Sequence, residues 1–271
     1  MNETTHAAAI RPPVKWHGGK GLLAKKIVPL FPEHKIYVEP FGGAASVLLN
    51  KAPAPIEVYN DLNSSISRLF RVLRDQGDEL RERLLLTPYS EIEFEESDVP
   101  HPDEVEQARR DFVRWRQSLG GRGTDFSYTV SRSARGMADA VSGYLSAIDE
   151  ELPKIVARLQ TVQILCRSAT KVIRRYDTED TLFYCDPPYL PETRANGGAT
   201  KYEVDMTEED HRALADELHR CQGKVVLSGY PSDLYDELYD GWRVVEFDVA
   251  NHAAGATTKR RETEVLWMNW A

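Results

Sequence analysis

The sequence predicts an α/β fold, a largely parallel sheet with helices on both faces and one inserted, mostly helical lobe. Three observations carry that expectation. Short apolar runs rich in β-branched and aromatic residues alternate with helical segments along most of the chain. Three of those runs stop at turns that bear an acid, Glu39, Asp61 and Asp186, where open α/β sheets bind ligands. The stretch from roughly residue 70 to 160 is charged and helical in pattern, with no strand signal.

Taken in order, Lys15-Trp16-His17-Gly18-Gly19-Lys20 is a basic, aromatic, glycine-containing turn before an amphipathic helix from about Leu22 to Leu30. Lys20 suits the carboxylate of an anionic or zwitterionic ligand, and Trp16 its apolar or cationic part; the alternative is a helix-entry turn with solvated lysines. Lys35 to Val38 is a short buried strand running into Glu39-Pro40-Phe41-Gly42-Gly43, and the small residues Ala44, Ala45 and Ser46 open a helix with donor N–H groups at its N-terminus. Gly42 and Gly43 allow close approach of a ligand, or serve packing alone. The turn has neither GxGxxG nor GxxxxGK[ST] spacing, so NAD and ATP are not supported. Ile56 to Tyr59 is the next strand, and Asp61, about 20 residues past the glycines, is placed either to bind ribose hydroxyls or to cap the helix starting near Ser64.

That helix runs to about Arg74, followed by a charged helical region to about Gln117, a glycine loop, and a helical segment from about Ala138 to Leu159. Then come strand Val162 to Cys166, helix Ala169 to Arg175 and strand Thr181 to Cys185. Helix Glu208 to Arg220, strand Lys224 to Ser228 and helix Ser232 to Leu238 follow. The last strands, near Trp242 to Phe247 and Glu264 to Trp270, are close enough to pair antiparallel. At 271 residues and 41% hydrophobic, the chain can bury one full core and a smaller lobe.

The most informative feature is Asp186-Pro187-Pro188-Tyr189 at the end of the run Thr181 to Cys185. Two prolines fix the backbone and remove two donors, so the Asp186 and Pro187 carbonyls face outward as acceptors. A carboxylate and a carbonyl can each take one N–H of an adenine or cytosine amino group while Tyr189 stacks on the base. The plainer alternative is a polyproline turn closing a strand.

The net charge of −9 argues against a nucleic-acid partner, but its distribution matters more. Between Val105 and Arg135, seven arginines (109, 110, 114, 116, 122, 132, 135) face three acids, a local excess of +4. For Arg109 and Arg110 the alternative is intrahelical ion pairing. The flexible loop Gly120 to Tyr128, with Arg122 and two aromatics, can wrap phosphates and wedge bases. Arg132 and Arg135 extend this surface, and Lys259, Arg260 and Arg261 form a second phosphate-contact candidate or a solvated hairpin. Cys166, Cys185 and Cys221 show no C-x-x-C spacing, so neither disulfide nor metal is expected. Cys185 should point inward from a buried strand. No run is apolar enough to span a bilayer and the first residues lack a signal-peptide pattern, so a cytoplasmic protein is expected.

Together, Lys15 to Lys20, Glu39 to Val47, Tyr59 to Asn63, and Val162 through Tyr189 resemble, in order, the D12-class, Dam-like DNA adenine N6-methyltransferases; Lys224 to Tyr230 is a weaker match. The resemblance implies a Rossmann-like S-adenosylmethionine-dependent methyltransferase sheet formed by residues 1–68 and 160–271, with a target-recognition lobe at 69–159. It implies S-adenosylmethionine as methyl donor without a metal, and double-stranded DNA as partner. Asp186, Pro187, Pro188 and Tyr189 match the catalytic tetrad. Trp16, Lys20, Glu39, Pro40, Phe41, Gly42, Gly43, Asp61 and Asp186 fall on cofactor-binding positions. N4 methylation of cytosine, an RNA or protein methyltransferase, and an inactive DNA-binding relative are the alternatives. The recognition sequence, a cognate restriction enzyme and the oligomeric state stay open.

Overall fold

The computed structural model describes residues 10–15, 19–21, 23–131, 136–190, 193, 205–250 and 261–271, excepting the side chains of Val249, Ala250, Arg261 and Glu262. The chain divides into two compact units. One comprises Met1–Leu30, Gly43–Ala52 and Ser65–Val162; the other comprises Phe31–Gly42, Pro53–Ser64 and Gln163–Ala271.

The second unit is built on a seven-stranded mixed sheet, so the chain has an α/β fold. Its strands are β1 (Ile36–Glu39), β2 (Ile56–Asn60), β3 (Val162–Leu165), β4 (Thr181–Cys185), β5 (Lys224–Gly229), β6 (Arg243–Ala250) and β7 (Arg261–Met268), in the order β3-β2-β1-β4-β5-β7-β6. β2, β1, β4 and β5 are mutually parallel, while β7 runs antiparallel to both β5 and β6. A parallel strand needs cover on both faces. The run Thr-Leu-Phe-Tyr-Cys of β4 meets that need, with every residue buried. Helices α7 (Ala169–Tyr176), α8 (Glu208–Leu218) and α9 (Asp233–Leu238) supply Val172, Ile173, Leu214, Leu218 and Tyr235 to a core shared with Val38, Phe183, Val225 and Trp267.

Register places the turns that matter. Glu39 of β1 lies beside Tyr59 of β2, and Val38 beside Phe183 of β4, so the chain leaves β1, β2 and β4 at one edge of the sheet. Cys185 is opposite Leu227, which sets Ser228 level with Asp186. Gly229 is opposite Val265, so Glu264, the fourth residue of β7, lies at the same edge.

The first unit is helical: α1 (Ala24–Ile27), α2 (Ser64–Leu85, its first residue in the other unit), α3 (Glu91–Glu96), α4 (Glu104–Gln117), α5 (Asp139–Ser146) and α6 (Leu152–Leu159). A π-helical turn, Ala147–Glu151, joins α5 to α6. Residues 69–159 all fall in this unit, with Met1–Leu30 and Gly43–Ala52. α2 continues past the expected end at Arg74 and kinks at Gln76, beside Gly77, where a Cβ would stand 2.6 Å from the Val156 side chain of α6. The close approach of these two helices therefore requires glycine.

One expected helix, about Leu22 to Leu30, is present in shortened form, with α1 running directly into a 3₁₀ turn, Val28–Leu30, that carries Pro29. Another is corrected. Ala44, Ala45 and Ser46 do not open a helix: Gly43 (φ 46°) and Ala45 (φ 57°) are left-handed, which blocks entry, and only a 3₁₀ turn at Leu48–Asn50 follows.

Candidate active site

The apolar run of β4 ends at the half-buried Asp186, whose side chain is held from two sides. Ser228 Oγ, from β5, donates to Asp186 Oδ1 at 2.8 Å, and the Tyr189 hydroxyl lies 3.0 Å from the same oxygen. The Tyr189 hydroxyl also makes a short hydrogen bond to Glu264 Oε1 of β7. Tyr184 of β4 closes the network, its hydroxyl 3.3 Å from Ser228 Oγ. Tyr230 stands edge-on to Tyr189, with ring centroids 4.7 Å apart at 68°. Burial first, then Asp186 and Glu264, raise the Tyr189 phenol well above its ordinary value, so it stays a donor. Ser228, Tyr230 and Glu264 were not singled out in the sequence. The available signal was polar residues at the ends of apolar strands, in Leu227-Ser228-Gly229-Tyr230 and Thr263-Glu264-Val265.

At the ends of β1 and β2 the organising residue is Asn60, also unforeseen. Its fully buried amide donates to the Pro40 and Arg167 carbonyls at 2.8 and 2.9 Å and accepts from Arg167 N at 2.9 Å, tying together the turns after β1, β2 and β3. Gly42 N donates to the Asn60 carbonyl at 2.8 Å, and a Cβ on Gly42 would lie 2.2 Å from the Tyr59 ring. Packing alone thus demands that glycine. Glu39 is buried and accepts from the Tyr37 hydroxyl at 2.7 Å. Asp61 Oδ1 accepts from Asn63 N at 2.8 Å, which fixes the carboxylate at the strand end and leads the chain into α2.

The second unit thus gathers Glu39, Pro40, Phe41, Gly42, Asp61 and the tetrad Asp186 to Tyr189. Lys20 and Gly43 belong to the first unit. Lys20 is buried, and its carbonyl caps the turn into α1 by accepting from Leu23 N and Ala24 N at 2.9 and 2.8 Å. Trp16 lies outside the described residues. Cys185 is fully buried, and burial pushes its thiol pKa well up, which disfavours a nucleophilic thiolate. Among the described residues no cluster of three or more His, Cys, Asp or Glu is arranged for a metal, and no helix is long and apolar enough to cross a membrane.

The arginine-rich region is mostly committed internally. Arg109 bridges Glu93 and Glu106 at 2.7 and 2.8 Å, Arg110 pairs with Glu106 at 3.0 Å, and Arg114 with Asp98 at 2.7 Å. Arg116 donates to the Gly143 carbonyl at 2.6 Å, and burial, with Arg11 nearby, lowers its pKa to about 10. Ion pairing therefore accounts for three of the seven arginines, 109, 110 and 114.

The loop from Gly120 to Tyr128 is also corrected from flexible to pinned. Ser118 and Phe126 form an antiparallel bridge, Tyr89 donates to the Ser127 carbonyl at 2.6 Å, and Phe126 packs against Tyr89 and Phe94. Phe126 is thus a structural anchor. Arg122 is exposed, as are Tyr128 (72%) and Val130 (102%). Arg132, Arg135, Lys259 and Arg260 lie outside the described residues, and Arg261 is described only as backbone, paired with Ala250.

Comparison with known proteins places the chain. A family model, D12 class N6 adenine-specific DNA methyltransferase, matches residues 16–252. The Type II methyltransferase M1.LlaDCHI of Lactococcus lactis is 24% identical, over 96% of both chains. Type II methyltransferase M.MjaIII of Methanocaldococcus jannaschii is 24% identical over 96% of this chain and 99% of its own. A DNA adenine methylase of Haemophilus influenzae is 27% identical, over 94% and 92%. A solved precorrin 8W decarboxylase from Methanobacterium thermoautotrophicum covers 92% of this chain and 90% of its own, at 11% identity and a TM-score of 0.37, too loose a likeness to carry an argument.

Proposed function

The chain belongs to the D12 class of N6 adenine-specific DNA methyltransferases, and on that premise we propose that it acts at a specific sequence in double-stranded DNA by turning the target adenine out of the duplex into the site at Asp186 to Tyr189. The observation that carries this reading is the Asp186 carboxylate, held on Oδ1 by the Ser228 hydroxyl with the Tyr189 hydroxyl 3.0 Å away.

A base turned out of the stack costs a few kcal/mol of unstacking and presents its amino group to acceptors. Asp186 and the Pro187 carbonyl accept its two N–H groups, which turns the nitrogen lone pair toward the methyl donor. Positive charge develops on that nitrogen during transfer and is discharged when one of its N–H protons is lost to Asp186 or to water. The fixed carboxylate stabilises it without reorganising, and this electrostatic effect is the main contribution asked of the protein. No covalent enzyme intermediate is required. The Tyr189 hydroxyl is tied to Glu264, and stacking of the base on the ring requires this buried side chain to be uncovered when DNA binds.

S-adenosylmethionine, the methyl donor the family implies, supplies the electrophilic methyl group when bound. The residues at the ends of β1 and β2 fit its adenosine part. Asp61 presents a fixed carboxylate suited to ribose hydroxyls, and the Asn60 amide holds the neighbouring turns rigid. By resemblance Trp16, Lys20 and Gly43 are further cofactor-binding candidates, and the sheet unit is a Rossmann-like methyltransferase domain. We assign target recognition to residues 69–159, with Arg122, Arg132, Arg135, Lys259, Arg260 and Arg261 as phosphate-contact candidates and Tyr128 and Val130 as exposed groups able to enter a groove. A cognate restriction enzyme is a partner to be sought.

Nucleoside mass spectrometry of mixed-sequence duplex DNA, incubated with the protein and labelled S-adenosylmethionine, tests the reading. Label is expected in N6-methyladenine and is lost in D186A, while DNA binding is kept. Label in D186A equal to wild type would remove Asp186 from the chemistry, and no label in DNA from the wild type would overturn the reading.

A further inference from the structure

We propose that Glu264 is a positioning residue for methyl transfer, acting through the Tyr189 phenol on the carboxylate of Asp186; the proposal rests on the function assigned to Asp186 above. Glu264 is 3% exposed and Tyr189 5%, and the bond between them joins β7 to the turn after β4. A carboxylate this deep is stable only when its oxygens are engaged.

Two carboxylate oxygens, Asp186 Oδ1 and Glu264 Oε1, converge on one phenol that has a single proton to donate. Because Asp186 Oδ1 already accepts from Ser228, at 2.8 Å, we assign the phenol proton to Glu264. Glu264 therefore does two things. It fixes the Tyr189 ring, and so the face offered to the base, and it draws the phenol proton away from Asp186, leaving that carboxylate a stronger acceptor for the amino group. With Glu264 removed, the phenol donates fully to Asp186 and weakens it where transition-state charge must be met. The antiparallel placement of β7 beside β5 makes this possible, because it carries the first half of β7 past the edge where β4 and β5 end.

The test measures the single-turnover rate of methyl transfer to adenine, with cofactor and DNA dissociation constants, in wild type, E264A, E264Q, Y189F and the E264A/Y189F double variant. E264A is expected to slow transfer by about 10–100-fold with both dissociation constants within about threefold of wild type, the pattern of a displaced reacting group. E264Q keeps a neutral acceptor for the phenol and recovers much of the rate. The double variant is no slower than the slower single, because the two side chains act as one unit. If E264A does not fold, adding E264Q to Y189F supplies the same comparison, and no further loss is expected. A rate in E264A within about threefold of wild type, an E264Q as slow as E264A, or losses that multiply in the double variant would overturn the positioning role alone. A wild type that transfers no methyl group to adenine would overturn both this role and the function beneath it.

Discussion

At the scale of the residue, the site depends on groups whose chemistry is ordinary and whose placement is not. Aspartate 186 could be singled out from its setting at a strand end before two prolines. The residues around it could not, because Ser228, which bonds Asp186, Glu264, which bonds Tyr189, and Asn60, which ties the neighbouring turns, read as polar residues at strand ends, where loops begin in any protein. Gly42 teaches the opposite lesson. The sequence offered ligand approach or packing, and the Tyr59 ring 2.2 Å from its missing Cβ supplies a packing reason. Gly42→Ala should therefore destabilise the protein by about 1–3 kcal/mol, the usual cost of overpacking a rigid site. Urea unfolding monitored by circular dichroism would show it as a lowered midpoint, and an unchanged midpoint would mean that Tyr59 moves aside.

At the scale of the element, α4 shows how ion pairing uses up charge. Of the two readings open for Arg109 and Arg110, the intrahelical pairing holds: both are drawn onto Glu106, whose pKa they lower from 4.5 to about 2. Such a depressed carboxyl contributes stability that is fully present above its unfolded value and is lost as pH falls through its folded one. Stability should thus drop between about pH 4.5 and pH 2, and E106Q should flatten that part of the profile while lowering stability at neutral pH. Chemical denaturation across this range is the measurement, and a wild-type profile indistinguishable from that of E106Q would show the pairs to be without consequence. The glycine loop after α4 is less free than expected. Its composition suggested freedom, and Phe126, inserted between Tyr89 and Phe94, pins it.

At the scale of the whole molecule, the sheet unit is unusually dependent on buried phenols. Tyr37, Tyr59, Tyr184 and Tyr189 are all raised well above 10.0, chiefly by burial and then by carboxylates such as Glu39, Asp61 and Asp186. A group whose folded pKa is raised contributes stability that is present below the unfolded value and lost as pH rises toward the folded one. Above about pH 10, each such tyrosine should steepen the loss of stability by up to ~1.4 kcal/mol per pH unit. Alkaline titration of the urea midpoint should fall more gently in Y37F than in wild type, and an equal slope would count against this account. The sequence by itself determined the strand–helix alternation, the edge at which acids collect, the tetrad and the family. All of these are written in local order, since strand periodicity, turn residues and a contiguous motif involve neighbours along the chain. Only the tertiary structure decided that Arg109 also reaches Glu93 and Arg114 reaches Asp98, and that Glu264 reaches Tyr189. These depend on register and packing between segments far apart in the chain, where an antiparallel last strand brings residue 264 beside residue 189 and no local pattern records the meeting.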